Sequence, residues 1–153
     1  HVNSRDHDVN NKIKEYAAFI DNTLHPELER RVLAREKVEE EVEEYRDLAA
    51  KLQAVEERTL KSQPLQALVD LGHKTIFCQA ETSVPLKLYV HVGMGFHVEM
   101  TPAEAISFCQ ARIDYLSRVL NFRMERAAQV ARDLQASLVI MEQLHSDVTH
   151  NGL

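Results

Sequence analysis

Val90-His91-Val92-Gly93-Met94-Gly95-Phe96-His97-Val98-Glu99-Met100, running into Thr101-Pro102-Ala103-Glu104, is the stretch on which the reading of this chain turns. Leu88, Val90 and Val92 alternate with Tyr89 and His91, and beyond the glycines Phe96, Val98 and Met100 alternate with His97 and Glu99. Alternation at period two marks a pair of half-buried strands. A three-residue loop pairs Val92 with Phe96, Val90 with Val98 and Leu88 with Met100, gathering all six apolar side chains on one face. A two-residue loop sets Val92 against His97 and mixes the faces. Gly93 and Gly95 supply the positive φ that so tight a turn requires. Thr101 then caps a helix, Pro102 takes its first position, and Glu104 completes a capping box.

C-terminal to this junction the apolar seam runs Ile106, Cys109, Ile113, Leu116, Leu120, Arg123, Ala127, Val130, Leu134, Ser137, Met141, Leu144 and Val148. The steps alternate strictly between three and four residues, and only Arg123 and Ser137 are polar, which predicts a coiled-coil helix over residues 101–150.

N-terminal to it lies a second pair of strands. Ala67, Val69 and Leu71 alternate with Leu68 and Asp70, Gly72-His73-Lys74 offers a turn, and residues 75–80 read as the returning strand. Thr82–Pro85 links the two hairpins, so residues 64–100 form a β platform. Isolated hairpins are marginal in water and their open edges invite pairing. The physical expectation is a sheet or barrel completed by other subunits.

Before Pro64, residues 10–63 read as the first helical arm. Ile13, Ala17, Ile20 and Leu24 mark one face, and Val38, Val42, Tyr45, Ala49 and Leu52 mark another run. The two runs join only if the seam restarts at Leu28 with Arg31 and Arg35 upon it, a stutter-like phase shift at Pro26. A kink or short break near Thr23–Pro26 is therefore expected, with helix on both sides. The acidic run Glu36–Glu44 reads as a solvated helix face. Residues 1–9 are set apart as disordered or an expression remnant.

Joined by a platform, the arms lie antiparallel, with Leu24 near Ile140. At that far end Phe19, Leu138, Val139 and Ile140 fall outside the seam, and an apolar surface wider than two helices need calls for another partner. The whole is an α+β chain: two long helices forming an antiparallel coiled coil, joined by two β-hairpins.

Composition excludes several functions. A net charge of −6 with no compensating Lys/Arg block argues against a direct nucleic-acid surface. No apolar run approaches the ~18 residues of a membrane span. Gly93-Met94-Gly95 lacks the third glycine and the strand-to-helix setting of a dinucleotide loop. Cys78 and Cys109 have no metal-ligand spacing, which suits a reducing compartment. His91 opposite His97, with Glu99 and His73 near, is the one arrangement that suggests zinc, but a solvent-facing strand pair is the plainer reading. No catalytic residue, metal or cofactor is assigned.

The chain resembles the α class of prefoldin subunits through most of its length. Tyr16, Phe19-Ile20, Leu24, Arg35, Lys37-Val38 and Tyr45 carry the likeness in the first arm. In the middle it rests on Val69-Asp70-Leu71-Gly72 and on Tyr89-Val90 through Phe96, then on Glu99, Thr101 and Ala103-Glu104-Ala105. The resemblance implies a non-catalytic co-chaperone subunit in a heterohexamer of α- and β-class partners, working without nucleotide hydrolysis of its own. It implies a barrel interface of Val69, Leu71 and Ile76 from the first hairpin, with Leu88, Val90, Val92, Phe96, Val98 and Met100 from the second. Client or adaptor proteins would meet the arm tips at Ile13, Phe19, Ile20 and Leu24, and at Leu138, Ile140, Met141 and Leu144. Asp70-Leu71-Gly72 and Phe19-Ile20 tilt the likeness to the prefoldin-like branch. Members of that branch work with the URI protein and the R2TP co-chaperone and touch transcription factors, in cytoplasm and nucleus. A scaffold role in transcriptional co-regulation is the alternative the same resemblance allows.

Overall fold

Helix dominates because almost nothing in either flank interrupts it: residues 2–60 hold no glycine and one proline, and past Pro102 no glycine or proline follows before Gly152. The computed structural model describes residues 2–60, 69–72, 76–78 and 87–150. Helix α1 spans Val2–Phe19, α2 His25–Leu60 and α3 Pro102–His150. Strands β1 Val69–Gly72, β2 Ile76–Cys78, β3 Leu88–Gly93 and β4 Phe96–Met100 lie between α2 and α3. Helix α1 takes in most of residues 1–9, starting at Val2, where no helix-breaking residue stands.

Between α1 and α2 the expected break takes a particular form. Ile20–Leu24 is a π-turn, in which the His25 N–H donates to the Ile20 carbonyl five residues back. Pro26 has no N–H to give, and its ring would crowd the carbonyl four residues earlier in an uninterrupted α-helix. The seam explains the extra residue. Steps of four, three and four lead from Ile13 to Leu24, and a further four to Leu28, one residue more than α-helical phase allows. A single wider turn takes up that residue and keeps Ile20 and Leu24 buried. Beyond it Arg31 and Arg35 sit half-buried on the seam, and Val38 and Val42 are buried.

The chain divides into two compact units, residues 38–119 and residues 1–37 with 120–153. In the first, the strands form one antiparallel sheet of order β1-β2-β3-β4. The two hairpins are thus a single sheet, stitched by Ile76 opposite Val90, Phe77 opposite Tyr89 and Cys78 opposite Leu88. Its β3 side chains Leu88 and Val90 join Leu48, Ala49, Leu52 and Val55 of α2 and Ala105 and Cys109 of α3 in one core. Leu52, Leu88, Val90 and Cys109 are fully buried, and each such aliphatic side chain stabilises the fold by about 1.5–3 kcal/mol.

In the second unit, Ile20 and Leu24 are buried along with Ala127 and Ser137 of α3. Ser137 is tolerated there because its Oγ donates to the Asp133 carbonyl at 2.9 Å. All thirteen seam positions expected for α3 are buried or half-buried. The end of the first arm at Pro64, the His73-Lys74 turn and the Thr82–Pro85 linker lie outside the described residues.

Candidate functional site

The β3–β4 hairpin pairs Leu88 with Met100, Tyr89 with Glu99, Val90 with Val98 and His91 with His97, as strand alternation predicts. At the tip the register departs from expectation. Gly93, not Val92, faces Phe96, so Val92 is an extra residue in β3, a β-bulge. The turn proper is Met94-Gly95, and three consecutive residues have positive φ: Gly93 at 124°, Met94 at 50° and Gly95 at 77°. Positive φ at both central positions is the sign pattern of a type I′ turn, whose twist suits flanking strands.

The apolar strip on this hairpin is divided. Leu88 and Val90 are 0% exposed, covered by α2 and α3 of the same chain. They are core residues, a correction to their expected place on a surface open to other subunits. One strand further out the cover ends: Val98, directly opposite Val90, is 43% exposed, Val92 is exposed, and Phe96 is 67% exposed. Met100 is half-buried against the core. Beside these side chains runs the outer edge of β4, the last strand of the sheet, with backbone groups turned away from β3. Apolar side chains and an edge that no other described strand pairs together make a surface fit for strand addition. The backbone of Val69, Leu71 and Ile76 lies in β1 and β2; their side chains lie outside the described residues.

On the opposite face of the hairpin, the His91 and His97 rings meet edge-on at 5.0 Å. Lys87 Nζ lies 3.2 Å from Glu99 Oε1. No group of three metal-binding side chains occurs among the described residues, and His73 lies outside them; the ring contact itself is cross-strand packing. Cys109 is buried in the core, and burial pushes its thiol up to about 11, the reverse of what a nucleophile needs. No helix among the described residues is long and apolar enough to cross a membrane.

The set expected at the arm tips also divides. Ile20 and Leu24 are buried in the seam, Ile13, Met141 and Leu144 are half-buried along it, and Leu138 is half-buried beside it. Phe19, Val139 and Ile140 remain exposed. Sequence reasoning passed over the exposed Tyr115, Phe122 and Met124 of α3; each lies one residue off the seam, a spacing that attention to the seam alone hides.

Comparison with known proteins agrees with this architecture. The family model described as prefoldin subunit matches residues 24–147. A protein of Nematostella vectensis named Protein UXT homolog is 29% identical over 140 residues, covering 92% of this chain and 87% of that protein. Protein UXT of Rattus norvegicus is 30% identical over 135 residues, 87% of this chain and 80% of its own. Protein UXT of Homo sapiens is 31% identical over 112 residues, 72% of this chain and 68% of its own. No solved structure matches the chain. With a family model spanning most of its length and UXT relatives matching both helical arms and the sheet between them, the chain belongs to the prefoldin family as a prefoldin-like member of the UXT kind.

Proposed function

We propose that the chain is a non-catalytic subunit of a prefoldin-like co-chaperone assembly, joined to α- and β-class subunits by strand addition at β4. The observation that carries this reading is the end of the sheet at β4, where Phe96 and Val98 stand exposed beside a strand edge that no other described strand pairs. An edge of this kind is a liability in a solitary chain and a joint in an assembled one. Phe19, Val139 and Ile140 then supply the apolar contact for clients or adaptors. On this reading the subunit works in cytoplasm and nucleus, with R2TP components and transcription factors among the proteins it meets.

The test is co-expression with a β-class prefoldin subunit and measurement of the mass of the purified complex by light scattering. Phe96→Asp removes an interface aromatic worth about 1.5–3 kcal/mol, so the complex should dissociate roughly 10- to 100-fold more readily. The helical circular dichroism should stay unchanged. A complex of undiminished mass and stability would remove β4 from the joint.

A further inference from the structure

Strand β4 has the same pattern read from either end. Phe96, His97, Val98, Glu99 and Met100 run apolar, polar, apolar, polar, apolar about Val98. All of them but Met100 are exposed, and the exposure is graded. It is highest at Phe96, lower at Val98, and least at Met100, which packs against the core.

Backbone geometry decides which groups the outer edge offers. Gly93 and Phe96 close a two-residue turn, so Phe96 bonds to β3, and alternation turns the N–H and C=O of Val98 toward Val90. Those of His97 and Glu99 point outward, to an edge that no other described strand pairs. A second β4 laid antiparallel along this edge must set outward residues against outward residues. His97 then falls opposite Glu99, or each falls opposite itself. The first register is centred on Val98 and overlaps the whole strand. The others shorten the overlap, and one of them opposes two carboxylates.

In the centred register Phe96 stands opposite Met100 and Val98 opposite its own copy, so every apolar side chain stays on one face. The most exposed end of one strand thereby meets the covered end of the other. The His97 imidazole meets the Glu99 carboxylate, which already holds Lys87 Nζ at 3.2 Å and has lone pairs for a further donor. A parallel pairing related by a two-fold axis along the strands would instead turn the apolar face of one copy against the polar face of the other.

We propose that β4 pairs antiparallel with β4 of a second copy of this chain, centred on Val98, and that partner subunits displace this pair. The displacement rests on the reading of β4 as the assembly joint; the pairing rests on the strand alone. A contact one strand long falls short of the roughly 1,200 Å² of a standard interface, so the pair is weak and yields to a partner that adds further contacts.

The test is sedimentation of the full chain from micromolar to near-millimolar concentration, where the mass should rise toward twice that of a single chain. His97→Glu opposes carboxylates on both sides of the two-fold axis and should weaken the pair about tenfold. Glu99→Lys opposes a lysine to His97 and should weaken it as well. An equimolar mixture of the two variants should pair again, because the glutamate introduced at 97 then meets the lysine introduced at 99. Circular dichroism of each variant should match the parent chain. Val98→Cys treated with oxidised glutathione should give a disulfide-linked dimer that the parent chain and Phe96→Cys do not give, since only position 98 faces its own copy. That linked dimer should take up a β-class subunit only after reduction. A mass that stays single throughout, or a mixture no heavier than its components, overturns the pairing whether or not the β-class subunit binds the chain. Uptake of that subunit by the linked dimer overturns the displacement and moves the assembly joint away from β4.

Discussion

Cys109 shows how one residue's setting decides its chemistry. It stands on the α3 seam, fully buried among aliphatic side chains of α2 and β3, and desolvation raises its thiol from about 9 to about 11. The protonated thiol is thus favoured in the folded chain. Its stabilising contribution is complete below the unfolded value and is lost as pH rises from about 9 through about 11, because over that window the unfolded chain releases a proton that the folded one keeps. Native protein treated with iodoacetamide at pH 8 should show almost no label on the Cys109 peptide by mass spectrometry. Urea should raise that label to completion, and the urea midpoint should fall as the pH is raised above 9. Rapid native labelling would contradict the burial. Met94 is the contrasting residue. Nothing in its side chain asks for a φ of 50°, so an unbranched apolar residue between two glycines gives no sign that the turn is two residues long with a bulge before it.

At the scale of elements, strand alternation and the seam made most of the architecture legible. Period two identified the partners of Leu88, Val90 and His91, and the three-four spacing identified every buried residue of α3 but Ala105. The π-turn was legible only as a fault in phase, because proline announces that an α-helix must yield without saying how. What alternation does not contain is which strand the helices cover. Val90 and Val98 are neighbours on one face, yet α2 and α3 reach only the first. The difference is measurable by urea denaturation of single variants. Val90→Asp buries an unpaired carboxylate and should cost more than about 3 kcal/mol, unfolding the chain or losing the sheet. Val98→Asp, at the rim, should cost about 1 kcal/mol or less and spare the fold. Similar losses for both would mean that β4 is covered as well as β3.

For the whole molecule, the proposed function is that of a subunit that acts by holding other proteins. Of the eight residues expected to meet clients, the structure leaves Phe19 and Ile140 exposed, because coiled-coil packing claims the rest. Phe19→Ser with Ile140→Ser should therefore weaken suppression of aggregation of a denatured client such as actin by about threefold or more, with the assembled mass unchanged. Undiminished suppression, read by light scattering, would move client holding away from these helix ends. Client identity is written in none of these residues: an apolar surface selects by exposure of its partner's core and carries little further code.

The junction at Thr101 has a mechanical meaning. Strand β4 ends at Met100 and helix α3 begins at Pro102, with one residue between them. That residue is tied into the helix twice, by the Ala105 N–H to its carbonyl at 2.9 Å and the Glu104 N–H to its Oγ1 at 3.2 Å. Proline fixes the next φ. There is no slack at this point for a hinge. Whatever orientation a partner strand imposes on β4 is passed to the first turns of α3 as from a clamp to the root of a beam.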